Sequence, residues 1–131
     1  MEGLLAYIEL KSQESKKKAL DFIKKAGSSR GYEKRRFEVE TAYYFGKLSA
    51  YAEIRDMILQ DRKVREELKQ LIEKAAETAL IKEKLAVLHA IKTHTEHKTD
   101  LRSFEQGVEE FKFELFKALN LLDDVTIIEI T

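Results

Sequence analysis

Apolar side chains recur along most of this chain at alternating three- and four-residue steps, the spacing that gathers them on one face of an α-helix. From residue 12 to 26 the stripe is Ala19, Phe22, Ile23 and Ala26, with Ser12 placed to cap the helix start and Gly27 placed just past its end. The stretch from Gly27 to Gly31 is the clearest loop. A second helix is predicted from Tyr32 to Gln60, its face formed by Phe37, Thr41, Tyr44, Leu48, Tyr51 and Ile58 and widened by Phe45, Ala52 and Leu59. At 1.5 Å per residue it is roughly 43 Å long. A third is predicted from Arg62 to Thr95, marked by Val64, Leu68, Leu71, Ile72, Ala75, Ala79, Leu85, Leu88 and Ile91. A tight hairpin at Asp61 is expected between the two, because one unbroken helix through both would be unusually long for a small domain. The fourth starts after Thr99 or Asp100, both capping types, and carries the cleanest stripe: Leu101, Phe104, Val108, Phe111, Leu115, Leu119 and Leu122. Asp123 and Asp124 are expected to end it, since carboxylates oppose the dipole at a helix C-terminus.

Two segments depart from this period. Residues 125–131 close the sequence with the β-branched Val125, Ile127, Ile128 and Ile130 and predict a short strand. Residues 4–10, LLAYIEL, read equally as an upstream extension of the first helix or as a strand. An unpaired apolar edge invites association. Two pairings are therefore open for the tail: with residues 4–10 of its own chain, or with a second chain. The expected fold is all-α, an antiparallel bundle of about four helices, three of them long, in one domain over residues 1–131 with a short C-terminal β-strand. Gly46 and Gly107 fall inside helices, where each costs about 1 kcal/mol relative to Ala. Both are expected where a second helix backbone passes close by.

Composition supports long helices: there is no Pro, and none of the five Gly lies beyond residue 107. The absence of Cys excludes a disulfide framework and thiolate chemistry. No basic leader region and no apolar run of about 18 residues is present, so a soluble cytoplasmic protein without a membrane partner is expected. Abundant Lys and Glu with one Asn and four Gln match a protein from a hot environment.

Net charge is zero, yet the charges are segregated. Residues 1–36 hold ten bases and five acids, and residues 62–98 nine and six. Residues 37–61 hold two bases and five acids, and residues 99–131 three and eight. Alternating signs suit segments that pack beside one another, within or between chains. The densest basic group is Lys16, Lys17, Lys18, Lys24, Lys25, Arg30, Lys34, Arg35 and Arg36, with Tyr32 interleaved. Such a cluster is the electrostatic footprint expected of a nucleic-acid surface, and equally of lysines that pair with an acidic neighbouring helix.

Catalytic patterns are sparse. His94 and His97 stand three apart, a spacing that lets two imidazoles share one metal. A di-iron bundle needs Glu three residues before His; positions 86, 91 and 94 are Ala, Ile and His. Glu53 and Asp56 form an acid pair, but the preceding Glu-x-x-Glu that would complete a carboxylate-held Mg²⁺ site is absent. Gly-rich phosphate loops and Gly-x-Ser-x-Gly are absent too. The balance favours a non-enzymatic interaction or assembly protein that binds itself or another protein, without a cofactor. Its expected contacts are Tyr43 and the tail residues Val125, Ile127, Ile128 and Ile130. Nucleic-acid binding through the basic cluster stands as the alternative.

Overall fold

The computed structural model describes residues 2–60, 68–95 and 99–130, with side chains from residue 3 to residue 120 of those stretches. Four helices follow one another: α1 (Glu2–Gly27), α2 (Gly31–Gln60), α3 (Leu68–Lys92) and α4 (Leu101–Ile130). They pack as an all-α bundle in which α2 touches α1, α3 and α4, and α3 also touches α4. The pairs Glu9–Arg55 and Glu53–Lys82 run α1 and α3 antiparallel to α2. The contacts of Gly46 with Phe104 and of Tyr51 with Phe111 run α2 and α4 in the same direction. The expected hairpin at Asp61, with Val64, lies outside the described residues; α2 and α3 flank it. Among the described residues no helix is long and apolar enough to cross a membrane.

Residues 4–10 are helix rather than strand. Continuing α1 upstream puts Leu4, Ile8, Ser12, Ser15, Ala19 and Ala26 in helical phase, and all six are buried. Ser12 is therefore an interior residue of α1 and not its cap, and its Oγ has no hydrogen-bond partner. The loop also differs from expectation: Gly27 is the last residue of α1, and the left-handed backbone falls on Gly31, with φ 62°.

The strand expected over residues 125–131 is not shown. Backbone helix continues past Asp123 and Asp124 to Ile130. With residues 4–10 helical, there is no strand among the described residues for the tail to pair with, and helix satisfies the backbone amides and carbonyls internally. Backbone contacts between α2 and α4 join positions 58 to 64 apart, so Gln60 lies level with about residues 118–124 of α4.

The core joins all four helices: Leu4 and Ile8 from α1; Tyr51, Ile54 and Ile58 from α2; Ile72, Ala75, Ala76 and Ala79 from α3; and Phe104, Val108, Phe111, Leu115 and Leu119 from α4. The α4 stripe matches the sequence pattern. The α2 stripe matches only at Tyr51 and Ile58, while Ala42, Gly46 and Ala50 are buried, and Phe45 and Leu59 are exposed. A helix gripped on three sides has no single polar face, which blurs its periodicity.

The tightest contact is the crossing of α2 and α4. A Cβ on Gly46 would collide with the Phe104 carbonyl, and one on Gly107 would collide with the Tyr43 carbonyl and come within 3.0 Å of the Lys47 amide. Each glycine receives the other helix's backbone, as the sequence led one to expect. Gly46→Ala and Gly107→Ala should each destabilise the fold by about 2–3 kcal/mol in denaturant titrations, against the roughly 1 kcal/mol that Ala adds to an unobstructed helix. Gly3→Ala, with nothing within 4 Å, should cause no loss.

Candidate functional site

Close approach of α2 and α4 brings a polar knot into the interior. Glu114 of α4 accepts from Lys47 Nζ at 2.6 Å and from the Tyr51 hydroxyl at 2.7 Å. Only 11% of the Lys47 side chain and 18% of the Glu114 side chain are exposed, so this ion pair is largely desolvated. Tyr51 gives its proton to Glu114, and its hydroxyl also lies within hydrogen-bond reach of Tyr7 of α1. Burial, together with the Glu114 carboxylate, pushes the Tyr51 phenol well above its ordinary range. Burial and the carboxylates of Glu110 and Glu114 push Tyr43 up to about 12. Removing one member of such a cluster strands the others, so it fixes how the helices mate. Every described group of the knot is satisfied within the chain, and the knot presents no open position to a substrate.

The basic cluster gathers where α1 ends and α2 begins, and all nine residues are exposed. Four are engaged internally. Lys18 lies 5.4 Å from the Tyr44 ring, Lys25 lies 5.2 Å from Phe22, and Arg36 lies 5.0 Å from Phe37. These cations cap an aromatic group in which Phe22 stacks on Tyr44 at 5.8 Å. Arg35 donates to Asp100 at 2.9 Å, and Asp100 Oδ1 in turn caps α4 by accepting from the Ser103 amide at 3.1 Å. Lys16, Lys17, Lys24, Arg30 and Lys34 point to solvent, as does Tyr32.

Tyr43 is half-buried, edge-on to Tyr44 at 5.0 Å, with the Lys47 ammonium 5.8 Å from its ring centre. The side chains of Val125, Ile127, Ile128 and Ile130 lie outside the described residues, as does His97. His94 has a backbone role. It sits at φ 57° immediately after α3, with its amide donating to the Ile91 carbonyl at 3.2 Å and the Thr95 amide to the Ala90 carbonyl at 2.7 Å. Those two bonds are the Schellman closure of a helix C-terminus. Among the described residues no group of three His, Asp or Glu is placed to hold a metal. Glu53 is bound to Lys82, and Asp56 lies beside Arg55.

Sequence reasoning missed the outer face of α3. Ile72, Ala75, Ala76, Ala79 and Ala90 turn inward, where mostly small side chains suit close packing against α2 and α4. Leu85, Leu88 and Ile91, expected in the core, turn out: Ile81 is 48% exposed, Leu85 58%, Leu88 62% and Ile91 67%. Their steps of four, three and three residues form one continuous stripe opposite the core face. The available signal was two apolar stripes on one helix, one of alanines and one of leucines and isoleucines; only one can face a single core. A cleft of about 520 Å³ along α2, lined by Ile23, Ala42, Phe45 and Phe104 with Lys34 and Glu38, carries no constellation for chemistry.

Comparison with protein-family models, curated proteins and solved structures finds no match for this chain.

His94→Gly should stabilise the fold by about 0.5–1 kcal/mol in thermal or chemical unfolding, because glycine adopts the left-handed cap without strain. The tyrosines set an alkaline limit. Unfolded phenols lose their protons near the ordinary 10.0, whereas Tyr43 in the fold holds its proton to about 12. The native state is then the better proton binder, so stability should be level below pH 10 and fall as pH rises toward 12. Tyr43→Phe should flatten that decline in urea titrations stepped through the alkaline range.

Proposed function

We propose that this chain is a non-enzymatic helical assembly protein that associates with itself through the outer face of α3. One observation supports this reading: the exposed side chains of Ile81, Leu85, Leu88 and Ile91 follow one another at helical spacing as an apolar stripe on one face of α3. Burying a large aliphatic side chain is worth about 1.5–3 kcal/mol, so a stripe of this kind marks an interaction surface rather than a tolerated surface position. From residue 81 onward the large side chains Ile81, Leu85, Leu88 and Ile91 face away from the core, and the buried residue there is Ala90. A helix whose only task was to complete this bundle would have the opposite arrangement.

The tail is the second contact in this proposal. Val125, Ile127, Ile128 and Ile130 lie in the last turns of α4. A partner chain bringing its own tail would supply the edge that a strand here requires. The nucleic-acid reading is weaker, because the bases nearest the aromatic rings are spent covering those rings.

Light scattering coupled to size exclusion should give a mass of at least twice the 15.3 kDa chain. Leu85→Glu with Leu88→Glu should reduce it to a monomer with unchanged helicity. A wild-type protein that stays monomeric at high concentration would falsify the proposal.

A further inference from the structure

We infer that α3 pairs with α3 of a second copy in antiparallel orientation, across a two-fold axis passing between Lys84 and Leu85. This rests on the self-association proposed above and adds its geometry. Part of the stripe is symmetric about that point, although the counterpart of Leu85 is Lys84. Ile81 and Leu88 lie equally far on either side, as do Thr78 and Ile91, and then Glu77 and Lys92. Rotating one copy onto the other sets Ile81 against Leu88 of the second copy, twice, and puts the two Leu85 side chains next to each other. The self-complementary patch that a two-fold contact requires is therefore present on one helix.

Charge selects the direction. Glu77 borders the stripe toward the start of α3, and Lys92 borders it at the end. Both are exposed, and neither has an ion-pair partner among the described residues. The other charges flanking the stripe are already committed within the chain: Lys82 to Glu53, Lys84 to Glu105 and Glu73 to Lys112. Antiparallel pairing places each Glu77 level with Lys92 of the second copy. Parallel pairing would set Glu77 against Glu77 and Lys92 against Lys92. The helix dipoles also favour the antiparallel arrangement.

The chain has no Cys, so introduced thiols report without background. I81C and L88C, both at exposed positions, should each fail to cross-link alone under mild oxidation and should cross-link when mixed, since disulfides form only between closely facing residues. Charge reversal gives a second readout: E77K or K92E should weaken self-association by about ten-fold, and E77K with K92E should restore it to within about three-fold of wild type. Self-cross-linking of I81C without a mixed product would overturn the pairing, and so would a double reversal no tighter than the single ones. Either of those results, in a protein that still dimerises and is still dissociated by Leu85→Glu with Leu88→Glu, removes the antiparallel geometry alone. A monomeric wild type removes the assembly proposal with it.

Discussion

The contact on which the rest of the fold depends is the backbone crossing of α2 and α4. Helices whose facing residues carry ordinary side chains stand about 8–10 Å apart. Glycine at 46 and 107 removes the two Cβ atoms that would hold these helices off. The consequences follow along both helices. Lys47, directly after Gly46, reaches Glu114 at 2.6 Å, and Tyr51 reaches it at 2.7 Å while packing edge-on against Phe111 at 4.8 Å. A spacing wider by one methyl group would loosen these contacts and leave a carboxylate and an ammonium in a partly dry interior. The glycines lose helix propensity and the ion pair loses hydration; together they specify one register between two long helices that apolar packing alone would let slide.

α2 is the axis on which the other helices assemble. It lies against all three, and α1 depends on it more than on any other element. α1 meets this hub with Ser12, Ser15 and Ala19, small residues that allow close approach. α3 meets it with alanines. Small buried side chains on α1 and α3 thus accompany the large core residues Leu4, Ile8, Ile54, Ile58 and Ile72, while further large aliphatic residues lie on the outside of α3. That division makes α3 a helix with two apolar faces, one spent within the chain and the other available.

Much of this was legible in the amino-acid order. The α4 stripe from Phe104 to Leu119 is clean because α4 has one core-facing side, and periodicity reports that directly. Gly46 and Gly107 were readable because an unforced glycine in a helix calls for a compensating contact. The start of α1 was ambiguous because residues 4–10 carry apolar side chains on alternate positions as well as at helical spacing, and only the burial of Leu4 and Ile8 against distant helices decides between them. α3 misled because apolar character does not reveal which of two apolar stripes faces inward; the choice depends on how closely α2 and α4 approach. The knot at Glu114 was invisible, since a Glu at the edge of an apolar stripe looks like any solvated Glu until its partners, more than sixty residues away, are placed beside it. His94 offered the opposite lesson: a residue type that suggested a ligand is used for its tolerance of left-handed backbone.

The crossing also determines what a relative of this chain would look like. Leucines at helical spacing are common to helical bundles of every kind and carry little family information. Two small residues sixty-one positions apart, a lysine directly after the first and a glutamate seven places after the second, form a much rarer pattern, and each element of it follows from the same close contact. Divergence that replaced most of the apolar positions with other apolar residues would erase the overall similarity and still leave that fingerprint intact.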